Sequence, residues 1–378
     1  MITRSYSYDV GIIGAGIAGL AFAWAALRRG LRVVVLERDD RSDGASVRNF
    51  GMIWPMGQPP GPGLKTALRS RELWLELAEA SGLWLKQCGS LHLAHRDDEW
   101  AVLQEFNTTA AADGYQVQVL TPEEVLTNAP AANPQELRGG LWSRMEMGVN
   151  PRTALAKFAN WLAEQQECTI CFGQSVIKAE TGRITTEQGD VIDADRIIIC
   201  SGSDTRTLFP EVFNRSELRL CKLQMLRTPP QPDGWILGPH LASGLTLRHY
   251  PVFQSCLSFP ALKNRIAEET PELDRYGIHI LAAQNDRGEI ILGDSHEYDA
   301  AIKPEDKAEI DELILGKARK MIRLPDWTIA HRWHGLYVKH PTQPVLDIEP
   351  MDGVRLVTGF GGAGMTLALG YADLNWKS

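Results

Sequence analysis

Three glycines spaced G-x-G-x-x-G, Gly14, Gly16 and Gly19, constrain this chain more than any other short pattern in it. They lie in DVGIIGAGIAGLAFAWAALRRGLRVVVLERD, residues Asp9 to Asp39. The run opens as a continuous apolar strand, passes the glycines, reads as a helix from Ile17 to about Arg29, and ends in a second apolar strand closed by Glu37. The first glycine permits a tight turn after a strand, the second lets backbone approach a pyrophosphate, and the third lets helix and strand pack closely. Ala15, Ile17 and Ala18 complete the loop and the first helical turn, where unpaired N–H groups and the positive end of the helix dipole face an anion. Glu37, followed by Arg38, stands where a carboxylate bonds ribose hydroxyls, about 20 residues beyond the glycines. A carboxylate there disfavours a 2′-phosphate, so NADP fits poorly. A glycine-rich packing turn without ligand is the competing reading. The complete strand–helix–strand–Glu unit argues against it, while FAD and NAD both remain open at this point.

The chain has 378 residues, 44% hydrophobic and 23% charged, enough for a large core and two domains. Its net charge of −8 argues against a surface that tracks nucleic-acid phosphates. No uncharged apolar run reaches the length of a membrane span, and MITRSYSYDV has no apolar stretch of a leader peptide. The expectation is a cytoplasmic protein. Cys168 and Cys171 form a C-x-x-C, but it opens an expected strand, where residues three apart face opposite sides. Both are expected to be structural, with all six cysteines reduced.

After Glu37 comes a loop rich in Gly, Pro and Ser, RDDRSDGASVRNFGMIWPMGQPPGPG. Such a long connection is more typical of a functional segment than of a simple turn. Periodicity predicts helices over 64–86, over DDEWAVLQEFNTTAAADGY, after Thr121, from Pro151, and over 304–323. CGSLHLAH and a pair within GGLWSRMEMGVN read as strands. Residues 219–262 and 277–298 read as a largely antiparallel sheet that includes SGLTLRHYPVF and QSCLSFP. The tail ends in a strand, VRLVTG, a second glycine-rich turn, GFGGAGM, and a helix. Two strand–glycine–helix turns at opposite ends of the chain suit one long cofactor held at its pyrophosphate and again at its far ring.

At this point the sequence resembles the D-amino acid oxidase family of flavoproteins, to which glycine oxidase and sarcosine oxidase belong. The resemblance rests on the opening unit, on GASVRNFGMIWP, on VIDADRIIICSGSDT and on RWHGLYVKHPTQPVLDIEPMDGVRLVTGFGGAGMTLALG. More narrowly, GASVRNFGMIWP is similar to a bacterial branch associated with aminophosphonate breakdown. The resemblance implies an α/β protein with a discontinuous Rossmann-like FAD domain, residues 1–86 with 150–220 and 325–378. A second, α+β domain for the substrate, 87–149 with 221–324, would carry a mixed or antiparallel sheet over the flavin. It implies that Gly14, Gly16 and Gly19 surround the pyrophosphate and Glu37 the ribose. Ala45, Ser46, Arg48, Asn49, Phe50 and Gly51 would run along the flavin. Val176 would meet the adenine end, and Ser201 and Gly202 the diphosphate. Gly335, Gly361, Gly362, Ala363, Gly364, Met365 and Thr366 would meet the flavin ring.

Two departures bear on chemistry. In sarcosine oxidase a cysteine binds the flavin covalently; Gly335 occupies that place here, so the FAD is expected to be non-covalent. In glycine oxidase an arginine in a G-L-R run clamps the substrate carboxylate; here the run is Gly335-Leu336-Tyr337. The substrate is therefore expected to be a small amine whose anion sits farther away, 2-aminoethylphosphonate or its N-methyl derivative, with molecular oxygen as electron acceptor. Alternatives are glycine, sarcosine or D-amino acid oxidation, a quinone-linked dehydrogenase, and a non-catalytic flavoprotein module. Candidate side chains for the anion and the pocket are Arg48, Arg248, His249, Tyr250, Trp333, His334, Tyr337 and Lys339, with Trp54 and Arg332 as further wall or charge candidates. His331, His334 and His340 could suggest a metal, but no carboxylates stand beside them at ligand spacing, and no metal is expected.

Overall fold

The computed structural model describes residues 7–299 and 302–377. Strand Ser7–Ile13 runs parallel to Val191–Ile199 on one side and Val33–Leu36 on the other. Cys168–Cys171 extends the sheet past Val33–Leu36, and Val354–Thr358 pairs with the far half of Val191–Ile199. These five strands are parallel, so their carboxyl ends share one edge. Their near-continuous apolar character follows from being covered on both faces. On one face pack helices Ile17–Leu27, Pro62–Ser81, Pro151–Ala163 and Gly364–Leu374. On the other, Val176, Ile184, Leu208 and Phe213 close over Ile13, Leu36 and Ile197.

The last helix is fixed by close contacts with Pro62–Ser81. Gly370 donates its N–H to Ser70 Oγ at 2.8 Å, and a Cβ at Gly370 would lie 2.1 Å from the Thr66 carbonyl oxygen. Trp74 Nε1 donates to the Met365 carbonyl at 2.8 Å. The second glycine turn is therefore held from the side remote from the cavity it faces.

A second sheet of nine strands is mostly antiparallel. Toward one end of it the long strand Arg219–Pro230 pairs with Glu289–Gly293, Glu297–Tyr298 and His331–Lys339. The sequence groups His331–Lys339 with the nucleotide part, yet this strand pairs along its whole length with Arg219–Arg227 in the second sheet. Other local expectations also shift. The helix expected over 64–86 ends at Ser81, because Gly82 turns left-handed at φ 63°, and Leu85–Lys86 becomes a strand. Gly139–Ser143 and Met147–Val149, expected to pair, join different sheets. SGLTLRHYPVF and QSCLSFP are not strands: they form tight turns over Gly244–Arg248 and Pro251–Phe253 and lead into helix Phe259–Glu269. Pro251 and Pro260 have no N–H for a ladder, and Pro260 suits a first helical turn. Cys168 and Cys171 are free thiols on one strand; burial pushes Cys168 up to about 12.

Candidate flavin and substrate cavity

The carboxyl ends of the parallel strands open into a cavity of about 1230 Å³ that also reaches the second sheet. That exceeds the roughly 300–1,000 Å³ of a drug-sized site, and its position is where open α/β sheets bind ligands. The three glycines divide the work. A Cβ on Gly14 (φ +105°) would lie 2.4 Å from the Cys200 carbonyl oxygen, and one on Gly19 would lie 1.8 Å from that of Gly14. These two let strand and helix close on each other. A Cβ on Gly16 would meet only Ser46 Oγ at 3.2 Å, so Gly16 keeps the cavity side of the loop open. Ser46 Oγ accepts the Ile17 N–H at 3.0 Å. Glu37 accepts the Ala15 N–H at 2.7 Å and is only 9% exposed, at the strand end that lines the cavity.

Of the sequence-predicted cofactor residues, the wall includes Gly14, Gly16, Ile17, Ala18, Glu37, Arg38, Ala45, Ser46, Arg48, Asn49, Phe50, Val176, Ser201, Gly202, Gly335 and Gly361 to Thr366. Ala15, Gly19 and Gly51 stand behind it. A Cβ on Gly51 (φ +75°) would lie 2.0 Å from the Val149 carbonyl oxygen, so its role is to bring two backbones together. In the second turn Gly359 and Gly361 take φ +80° and +57°, a Cβ on Gly364 would lie 3.5 Å from Ile17 Cγ2 in the first turn, and Thr366 Oγ1 accepts the Trp54 N–H at 2.9 Å. Two glycine turns side by side at the strand ends of one long cavity fit a dinucleotide flavin.

On the substrate side the wall includes His249, Tyr250, Tyr337 and Lys339. Three predicted residues lie elsewhere. His334 is on the other face of strand His331–Lys339 and pairs with Asp306 at 2.8 Å. Arg248 is turned into the protein, paired with Asp274 and donating to the Ile278 carbonyl at 2.6 Å. Trp333 donates to the Arg48 carbonyl at 3.3 Å with the Arg152 guanidinium over its ring, and Arg48 itself is paired with Asp43 at 2.6 Å. Lys339 makes no ion pair with a described carboxylate, and its backbone bridges to Phe360 in the glycine turn. Burial raises the Tyr250 and Tyr337 phenols, so both remain neutral donors.

The sequence reading missed His279, Asp294, His296 and Tyr298, all on the wall. Asp294, His296 and Tyr298 alternate within one short segment, but no motif in the sequence joins that segment to His279 or His249. The His249 and His279 rings stack at 4.2 Å and 24°, with His296 5.2 Å from His279. Ligating atoms of the three lie within 4.8 Å of one another. Stacked rings aim their nitrogen lone pairs side by side rather than toward one tetrahedral centre. The trio weighed from sequence is dispersed: His331 is exposed, His334 holds Asp306, and His340 accepts the Gln343 N–H at 3.0 Å. Among the described residues no helix is long and apolar enough to cross a membrane.

Residues 9–374 match the family described as FAD dependent oxidoreductase, DAO. A subunit of opine oxidase from Rhizobium meliloti is 24% identical over 353 residues, covering 88% of this chain and 83% of that protein. Glycine oxidase of Geobacillus kaustophilus is 26% identical over 209 residues, covering 53% of this chain and 55% of that protein. The crystal structure of glycine oxidase from Geobacillus kaustophilus superposes with a TM-score of 0.76 at 19% identity, covering 98% of this chain and 93% of that one. L-proline dehydrogenase from P. horikoshii gives 0.74 at 20% identity, covering 97% and 92%. With the matched family spanning the Gly14–Gly19 turn, the Gly359–Gly364 turn and everything between them, the chain belongs to the DAO family of FAD dependent oxidoreductases.

Proposed function

We propose that this oxidoreductase acts on a small anionic amine, with 2-aminoethylphosphonate or its N-methyl derivative as first choice. The imine product would hydrolyse to phosphonoacetaldehyde and release ammonia or methylamine, with oxygen reduced to hydrogen peroxide. Bound FAD supplies the two-electron oxidant; the chain has to orient the C–N bond, hold the anion and exclude water. The names of the relatives, glycine oxidase and opine oxidase, support oxidation of an amine.

The observation that carries the finer reading is Lys339. It is a cavity-wall cation without a described carboxylate partner. Tyr337 occupies the place where the family pattern has a carboxylate-binding arginine. Residues two apart on a strand share a face and stand about 7 Å apart. The charge is thus displaced along the wall, which suits an anion that is not attached to the reacting carbon. The Lys339 ammonium is the charged donor on this wall, which it shares with the Tyr337 and Tyr298 phenols, both hydrogen-bonded to Cys221. Opine oxidase similarity over 88% of the chain favours a second reading, a secondary amine bearing carboxylates.

Peroxide release across a panel of amines tests this. Turnover of the aminophosphonates with little on sarcosine or D-alanine is expected. Turnover of sarcosine or D-alanine with none of the aminophosphonates would overturn the phosphonate reading in favour of carboxylate substrates.

A further inference from the structure

Oxidation of an amine requires its lone pair, yet a small aliphatic amine is an ammonium near neutral pH, since such groups titrate close to the lysine value of about 10.4. Near neutral pH the free amine is scarce, so a base in the cavity that takes this proton would speed the reaction. The polar contacts around the three histidines assign their nitrogens. Arg248 Nε donates to His249 Nε2 at 3.3 Å, leaving His249 Nδ1 to carry its proton. His296 Nδ1 lies 3.1 Å from the Gly277 carbonyl oxygen and donates to it. His279 Nε2 lies 2.7 Å from Asp294 Oδ1 as an ion-pair contact without the alignment of a hydrogen bond; an ionised Asp294 at that distance favours the proton on Nε2 and leaves the lone pair on His279 Nδ1. That Nδ1 has no partner among the described residues, although His279 is only 5% exposed. His279 is among the residues that line the cavity.

We propose that His279, anchored by Asp294, is the base that takes the proton from the substrate ammonium. The step breaks one N–H bond of the substrate and forms one on His279 Nδ1. The imidazolium is stabilised by the Asp294 carboxylate, and no oxidant takes part. The assignment rests on the amine reading given above.

The titratable groups facing His279 are Asp294, the stacked His249 and His296, and Tyr250, whose ring meets it edge-on at 6.5 Å. Burial alone would raise Asp294, but the charges of His279 and His296 and the close His279 contact outweigh it and hold the carboxyl below the usual range. Burial, then the neighbouring histidines, Arg248 and Lys339, push His249 well down. Burial lowers His296 despite Asp294, with His279 and Lys339 adding to it. Burial disfavours charge on the two flanking rings, Asp294 is held toward its carboxylate form, and His279 Nδ1 is the acceptor with a counter-ion beside it.

The test is anaerobic reduction of the bound flavin by substrate, followed by stopped flow from pH 6 to 10 in the wild type, His279→Gln and Asp294→Asn holoproteins. Loss of a positioned base costs about 10²–10⁴-fold. His279→Gln should lose that much at neutral pH and recover about tenfold per pH unit as the free amine form of the substrate increases, a recovery that an unfolded variant cannot show. Asp294→Asn keeps its size but donates where the carboxylate accepted, and should show the same loss. If His279→Gln fails to retain flavin, Asp294→Asn carries the test. A wild-type-like rate and pH profile in the variant that retains flavin overturns the assignment alone. If no amine bleaches the wild-type flavin, the amine reading falls and takes the assignment with it.

Discussion

Adding one methyl group at Gly16 and one at Gly19 should separate cofactor binding from folding. At Gly16 the new Cβ meets nothing closer than Ser46 Oγ at 3.2 Å, so Gly16→Ala should fold with a stability change of about 0.5 kcal/mol or less. The same methyl stands where a pyrophosphate has to approach the loop N–H groups. Losing one charge-assisted hydrogen bond costs about 1.5–3 kcal/mol, which is about 10- to 150-fold in FAD affinity. At Gly19 the methyl would sit 1.8 Å from a backbone carbonyl oxygen that cannot rotate away. The helix has to move, at a cost of about 3 kcal/mol or more. Fluorescence titration of flavin-free protein measures the first effect and thermal denaturation of the same protein the second. Wild-type FAD affinity in Gly16→Ala would refute the placement of the pyrophosphate on this loop. An unchanged thermal midpoint in Gly19→Ala would refute the packing argument.

Other outcomes follow from the same geometry. With Gly335 in place of a linking cysteine, acid precipitation should leave the yellow colour in the supernatant; colour retained in the pellet contradicts non-covalent binding. Lys339→Met should raise KM for anionic amines about 10- to 100-fold, the worth of one charged hydrogen bond, with little change in kcat. Equal KM values in the two proteins would remove Lys339 from the anion site. Burial pushes His92 to about 3 and His240 to about 4, the latter against a hydrogen bond to the Met147 carbonyl. Unfolded histidine titrates near 6.5, so the stability these neutral rings contribute is present above that pH and is lost as pH falls toward their folded values. At pH 4.5 the loss is on the order of 2.5 kcal/mol per ring. The thermal midpoint of His92→Phe should therefore fall less steeply between pH 7 and 4.5 than that of the wild type; parallel curves would contradict this.

The parts of the site visible in the sequence are those written locally. Gly14, Gly16, Gly19 and Glu37 act within one strand–helix–strand unit, and Gly361 to Thr366 within another, so spacing alone brings the two turns to the cavity. His334 is open to correction by parity: a strand that aims Gly335, Tyr337 and Lys339 at the cavity aims His334 away. Arg248 differs for another reason. Its segment carries alternating apolar residues, but Pro251 turns the chain, and the guanidinium ends up bonded to Ile278 and Asp274. His279, Asp294 and His296 are not legible, because nothing in spacing brings them to His249. Only the register of the second sheet does, and register depends on contacts between distant segments.

The most direct measurement is the visible spectrum of the purified protein under anaerobic titration with amines, phosphonate and carboxylate members matched in length. The geometry predicts one FAD per chain, a band in the blue, and bleaching by 2-aminoethylphosphonate or its N-methyl derivative ahead of the carboxylates. Protein that is colourless and does not take up FAD, or a bound flavin that no amine reduces, would contradict it.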